Sequence, residues 1–240
     1  MKFDENMSCD ELQALAFKCE FKGDYVNAVV YMKKAADKGD VLSQYYLGRY
    51  YENGQGVEKN YERAAELYEQ VSACREPLVY FDPTMPLTPQ CDVEYSLGQF
   101  HEKGFLPNSS EEKAIEWYLK AVDDGSESAE LNMAHRYFDG RGVERSEEMA
   151  AKLLMRMAQK QYEFDDLSEE LFSLCSKLVE KNVSSKSGLL RLMGELYDKG
   201  LGMKPCREKA QEYFSRANEL EREKLERLCS KSTPDDEHLF

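Results

Sequence analysis

The sequence predicts an all-α protein, a right-handed α-solenoid (superhelix) of about five stacked helix–loop–helix repeats plus one inserted helix. One stretch recurs along the chain, which is the signature of a repeat architecture. Within each copy, apolar and small residues recur at helical spacing, and glycines interrupt the helical pattern. The clear copies are LGRYYENGQGVEKNYERAA (47–65), LGQFHEKGFLPNSSEEKA (97–114), MAHRYFDGRGVERSEEMAA (133–151) and MGELYDKGLGMKPCREKA (193–210).

Fixed offsets within each copy define two helices, counted from its first residue as position zero. A small residue at position one allows close approach of a neighbouring helix: Gly48, Gly98, Ala134 and Gly194. Glycine at position seven ends the first helix as a C-cap: Gly54, Gly104, Gly140 and Gly200. Polar residues at position thirteen are N-cap candidates for the second helix: Asn60, Ser110 and Ser146. One such hairpin cannot bury its apolar face, whereas stacked neighbours can.

The elements follow in chain order as one domain over residues 1–230. Ser8–Phe21 and Tyr25–Lys38 are predicted to form the first helical pair, joined by a short turn. The last helix is predicted to run to about Ser230, with a flexible acidic tail over 231–240. The five predicted repeats are 8–40, 41–76, 91–126, 127–160 and 187–220.

Two insertions interrupt the repeats. Segment 77–90 is rich in proline, which excludes a helix through it, and also in apolar side chains. It is either a tolerated surface insertion or a specificity loop for a partner. Segment 161–184 contains an amphipathic stretch, Leu167–Lys181, that predicts an extra helix between repeats four and five.

The loops add a G-x-G-V pattern, in Gly54, Gly56 and Val57 and again in Gly140, Gly142 and Val143. With this pattern the chain resembles the Sel-1-like repeat family, a longer-looped relative of the tetratricopeptide repeat. The resemblance implies a superhelical scaffold that binds proteins or peptides, and it does not imply a catalytic site. One cysteine-rich branch of the family has been linked with beta-lactam binding or hydrolysis. Its cysteine pairs stand eight residues apart, a spacing absent from this sequence.

The net charge and the cysteine spacing indicate the class of partner and the cellular compartment. The net charge of −14 argues against nucleic acid and would favour a basic protein partner. Seven irregularly spaced cysteines are typical of a reduced, cytoplasmic protein, with a Cys74–Cys91 disulfide as a minor alternative. Neither a signal peptide nor a membrane span is expected. We expect a monomer or a weak homo-oligomer.

No catalytic residue, cofactor or metal site is predicted. The three histidines, His101, His135 and His238, lack the spacing of zinc ligands. The phosphate-binding and nucleophile-elbow motifs are also missing from the sequence.

In tetratricopeptide-like stacks the first helix of each repeat lines the concave face, and the register identifies which residues would face that groove. The candidate partner-binding residues are Phe17, Phe21, Tyr45, Arg49, Tyr95, Gln99, Leu131, His135, Phe138, Arg191 and Glu195. Position five adds Glu20, Glu52 and Glu102. An apolar strip in a groove suits a peptide or helix partner. Neighbouring helices, the 76–90 loop or self-association would equally explain it.

The favoured function is that of an adaptor or scaffold that binds a protein or peptide in the concave groove. The alternative is an immunity- or inhibitor-type protein that neutralises one toxin or enzyme through its acidic surface. The inhibitor function requires binding that weakens steeply as salt rises, because salt screens the attraction between exposed charges. A beta-lactam hydrolase-like protein is a remote third reading.

Overall fold

The computed structural model describes residues 7–74, 89–159, 168–181, 186–201 and 203–231. Within these ranges the chain forms eleven helices and no strand, which confirms the all-α prediction. The helices are α1 (Cys9–Phe21), α2 (Tyr25–Asp37), α3 (Val41–Asn53), α4 (Tyr61–Ala73), α5 (Pro89–Glu102), α6 (Glu111–Asp123), α7 (Glu127–Asp139), α8 (Glu147–Gln159), α9 (Ser168–Val179), α10 (Lys186–Lys199) and α11 (Arg207–Lys231). The tail over 232–240 and nearly all of the 77–90 insertion lie outside the described residues.

The chain divides into two compact bodies, residues 1–129 and residues 130–240. In the N-terminal body α1 packs on α2, α3 on α4 and α5 on α6, while α2 contacts α3 and α4 contacts α5. Consecutive helical hairpins therefore stack on one another there. In the C-terminal body α8 contacts α9, and α10 packs against both α9 and α11. The single domain predicted over 1–230 stays a prediction.

The predicted N-caps are in place. Asn60 accepts a hydrogen bond from the backbone N–H of Arg63 at 2.8 Å, and Ser110 accepts one from Lys113 at 3.2 Å. Ser146 caps α8 in the same way. Each side-chain oxygen thus satisfies a backbone donor that the first helical turn would leave unpaired.

Replacing Asn60 with alanine should lower the free energy of unfolding by about 1 kcal/mol, because α4 would lose its cap. Asn60→Ser keeps an oxygen at that place and should cost only a fraction of this. Urea unfolding followed by circular dichroism measures both variants. An equal loss in the serine variant would show that the capping oxygen is not the cause.

The small residue at position one packs against the second helix of its own repeat. A Cβ atom on Gly98 would lie 2.5 Å from the ring atom Cδ1 of Tyr118, so the ring occupies the space that a side chain would need. Where the residue is alanine, as at Ala134, the matching position of the second helix holds a non-aromatic side chain, Leu154. The same glycine–ring contact joins Gly48 to Tyr68 and Gly194 to Phe214.

The inserted helix is α9, and it contacts α8 and α10. The spacing of the amphipathic stretch predicts a buried stripe of Leu167, Leu171, Leu174, Cys175 and Leu178. Leu167 lies outside the described residues, and the other four are fully buried. Burial raises the pKa of the Cys175 thiol, so this cysteine is a core residue in its neutral form. Cys74, beside the other insertion, is a free thiol in this structure.

Candidate functional site

The predicted groove face of the first helices becomes more exposed toward its loop end. Along α1, Gln13 is buried, Phe17 is 37% exposed and Phe21 is 94% exposed. Along α3, Tyr45 is only 7% exposed, whereas Arg49, one turn later, is exposed. The accessible surface therefore lies at the C-terminal ends of these helices.

Contacts between repeats explain why the other end is covered. The side-chain amide of Gln13 donates to Ser43 Oγ at 3.2 Å, which joins α1 to α3. The Tyr45 hydroxyl donates to Asp92 Oδ2 at 3.2 Å, which joins α3 to α5. The Tyr45 side chain therefore fills the junction between two repeats, as the alternative of coverage by neighbouring helices expected, and its role in partner binding stays a prediction. In the third repeat, Tyr95 and Gln99 are half-buried.

The C-terminal body shows the same trend along α7. Leu131, at the position of Tyr45, is 2% exposed and is likewise covered by its neighbours, so its role in partner binding also stays a prediction. His135 and Phe138, further along the helix, are half-buried. Burial lowers the pKa of His135, which favours the neutral imidazole.

Two predicted residues on α10 are exposed. Arg191 donates to the carboxylate of Glu221 on α11 at 2.7 Å and to Asn218 at 3.0 Å. Glu195 is exposed one turn further along α10. The guanidinium of Arg191 is thus held against the long last helix, and a ligand would compete with Glu221 for it.

The N-terminal body carries an aromatic strip, defined here as Phe17, Phe21 and Tyr46. The rings of Phe17 and Tyr46 meet edge to face with centroids 4.9 Å apart, so the strip crosses from α1 to α3. The Tyr46 ring also contacts the Tyr45 ring, with centroids 5.3 Å apart. The Arg49 guanidinium lies 5.8 Å from the Tyr45 ring centroid. Aromatic rings with one open side are common anchors in protein interfaces.

A second feature runs over the first three repeats. The glutamate row consists of the residues at position five: Glu20, Glu52 and Glu102. Each carboxylate accepts a hydrogen bond from a tyrosine hydroxyl: Tyr50 to Glu20 at 3.1 Å, Tyr68 to Glu52 at 2.6 Å and Tyr118 to Glu102 at 2.5 Å. The tyrosines fix the carboxylates in place. Burial raises the pKa of Tyr68, and the Glu52 charge raises it further, so the hydroxyl keeps its proton.

Sequence reasoning missed Tyr46 and the tyrosine donors. Tyr68 and Glu52 stand at positions twenty-one and five of one copy, and the next copy repeats both residue types. In the fourth repeat both change together, to Leu154 and Phe138. This joint change is the signal in the sequence that could have indicated a contact.

No group of three or more histidine, cysteine, aspartate or glutamate residues is placed to hold a metal ion in the part of the chain that the structure describes. Over the same residues, no helix has both the length and the apolar character needed to cross a bilayer.

Comparison with family models decides the family. The Sel1 repeat model matches five segments, 18–40, 41–73, 92–126, 127–162 and 190–221, which together make up more than half of the chain. The chain belongs to the Sel1 repeat family. The resemblance inferred from the loops is thereby confirmed, and the model also includes the short first repeat. Sel1 repeat proteins are generally protein-interaction scaffolds.

Two solved structures support the fold of this Sel1 repeat chain. A Sel1 repeat protein from Oxalobacter formigenes is 22% identical with a TM-score of 0.53, over 89% of this chain and 88% of that one. A protective antigen of uropathogenic Escherichia coli strains that displays an SLR fold is 20% identical with a TM-score of 0.52, over 90% of this chain and 49% of that one. Both confirm the class of helical-repeat solenoid. No curated relative matches the chain.

Proposed function

We propose that this Sel1 repeat chain is an adaptor that binds a protein or peptide segment on the loop ends of its first helices. The observation that carries the proposal is the exposure of Phe21, an aromatic side chain that is 94% exposed on an ordered helix. Contiguous exposed apolar surface on a folded protein commonly marks an interaction site.

The proposal is consistent with the position of the covered residues. The buried junction of Gln13 and Tyr45 gives the first helices a rigid base, because its hydrogen bonds tie neighbouring repeats together. Phe17 and Phe21 project beyond that base on α1, and Arg49 does so on α3. A surface on rigid helices loses little conformational entropy on binding. We place the chain in the cytoplasm and give it no catalytic role, as its cysteine usage and family suggest.

The test is affinity capture from native lysate with three forms of the full chain. Phe17→Glu/Phe21→Glu should lose the proteins captured by the parent chain, because two carboxylates would replace the apolar anchors. Helicity should be retained, and stability should fall only by about 0.5–1.5 kcal/mol, because Phe17 loses its ring contact with Tyr46 while Phe21 is almost fully exposed.

Val26→Glu/Val30→Glu is the matched control, since these apolar residues are 63% and 37% exposed but lie on a second helix, α2. It should capture the same proteins as the parent chain. Capture that persists in the Phe17/Phe21 variant, or that is lost equally in both variants, would refute the assignment to the first helices.

A further inference from the structure

The aromatic strip and the glutamate row together define the chemistry of the partner. We propose that this surface binds a basic peptide segment in which an apolar side chain lies between lysine or arginine residues. This inference rests on the proposed function, and it specifies the partner that the same helices would take.

The apolar part of the surface is open at one end and held at the other. Phe17 is fixed by its edge contact with Tyr46, while Phe21 lies one turn further along α1 and makes almost no contact with its own chain. An apolar side chain that inserts beside Phe21 and against Phe17 would remove both rings from water. This would supply the anchor of the interface.

The charged part of the surface lies on the same helices. Glu20 falls between Phe17 and Phe21 on α1, and its carboxylate reaches α3 through the Tyr50 hydroxyl at 3.1 Å. Glu52 stands at the equivalent position of α3 and is held at one oxygen by Tyr68. Because these bonds already orient the carboxylates, a cation would meet them without further ordering.

Basic side chains also lie near this row. Lys18 and Lys22 are exposed on α1 and its cap, and Arg49 is exposed on α3 with its guanidinium near the Tyr45 ring. Arg49 also acts on Tyr68, the donor to Glu52, so this cation lies near the second carboxylate of the row. The glutamates recur at one position of consecutive repeats, whereas these cations do not. The net charge of −14 would also attract a cationic segment over longer distances.

The repeat sets the spacing that the partner needs. Packed helices lie about 8–10 Å apart, and we expect the carboxylates of consecutive first helices to be spaced by this step or slightly more. Basic residues spaced by about 10 Å match this step, either three residues apart in an extended segment or seven apart in a helix. The surface therefore selects for paired cations rather than for a uniform positive charge.

The experiment is a selection of random 15-residue peptides displayed on phage against the immobilised full chain. The expected result is enrichment of peptides with an aromatic or aliphatic residue between lysines or arginines. Their affinity, measured by fluorescence anisotropy at low salt, should fall about three- to tenfold in Glu20→Gln/Glu52→Gln. It should also fall as salt rises, because the charges become screened.

Glutamine is the right replacement, because its carbonyl oxygen still accepts the tyrosine hydroxyl while the charge is removed. Glu69→Gln/Glu116→Gln is the matched control. It removes an equal number of negative charges, from exposed sites on the second helices α4 and α6. It should bind the peptides like the parent chain.

Enriched peptides without basic residues, an equal loss in both variants, or no enrichment at all would each overturn the inference. The proposed function has its own readout, since capture of proteins from lysate depends on Phe17 and Phe21. Capture that is lost in the Phe17/Phe21 variant but unchanged in Glu20→Gln/Glu52→Gln would leave an adaptor whose partner is not basic.

Discussion

Replacing Lys120 with methionine is expected to lower the free energy of unfolding at neutral pH by about 3–5 kcal/mol, because it leaves a buried carboxylate without its cation. Glu94 on α5 is 0% exposed and lies 3.2 Å from Lys120 Nζ. Ser72 on α4 donates to the same carboxylate at 2.7 Å, and Lys120 donates to Ser72. The network thus joins three helices of two repeats around one buried charge.

Two other repeats hold a pair of side chains at the positions of Glu94 and Lys120, one pair charged and one neutral. In the fourth repeat, buried Glu130 accepts from Arg156 Nε at 2.6 Å at the same two positions. In the second repeat those positions hold Gln44 and Gln70, whose side-chain amides bond at 2.9 Å. Glu94→Gln/Lys120→Gln imitates that neutral pair and should therefore lose much less stability than Lys120→Met. Chemical denaturation of the two variants compares them directly.

The loss in Lys120→Met should depend on pH. Burial raises the pKa of Glu94, the charge of Asp124 raises it further, and the bonds from Ser72 and Lys120 oppose the rise. The unfolded chain releases this proton near the ordinary glutamate pKa of about 4.3. Above that pH the folded state binds more protons than the unfolded state, so the Glu94 contribution to stability falls as pH rises.

Below the ordinary pKa the carboxyl is protonated in both states, and the cost of burying its charge disappears. The free energy of unfolding of Lys120→Met should therefore approach that of the parent chain as the pH falls toward 4. Removing Lys120 also removes an opposing bond, so the variant should show the steeper pH dependence. A deficit that is independent of pH would mean that lost packing, and not the buried charge, causes the destabilisation.

The sequence predicted the elements better than it predicted exposure. The caps at Asn60, Ser110 and Ser146 were identified correctly, because a helix start has a local signature. Tyr45 and Leu131 were assigned to the groove face with their coverage by neighbouring helices left open, and both are buried. Helical spacing identifies the face of a residue, while its burial depends on how far the next repeat overlaps that face.

The buried charges had no local signal at all. Glu94 is one of 46 acidic residues, and its composition and neighbours do not distinguish it from the exposed ones. Only its recurrence with a cation, as Glu94 with Lys120 and Glu130 with Arg156, separates it from the rest. Repeats offer this internal comparison because each copy places matched positions in similar surroundings.

Replacing Gly98 with alanine is expected to lower the free energy of unfolding by about 2 kcal/mol. The new methyl group would lie 2.5 Å from the ring of Tyr118, which is 0% exposed and has no room to retreat. Overpacking of this kind typically costs about 1–3 kcal/mol. The helical gain of about 1 kcal/mol for alanine over glycine only partly offsets a severe clash. Thermal or urea unfolding measures the net loss.

The fourth repeat shows how the chain accommodates an alanine, since Ala134 accompanies Leu154 where Gly98 accompanies Tyr118. Tyr118→Leu alone should also destabilise, because it leaves a cavity and removes the hydroxyl that donates to Glu102. In the double variant the alanine methyl occupies part of that cavity. The double variant should therefore lose less stability than the two single variants lose in total. A coupling energy of about 1 kcal/mol is expected from a double-mutant cycle. Strict additivity would mean that the glycine is required by the backbone of α5 and not by the ring that faces it.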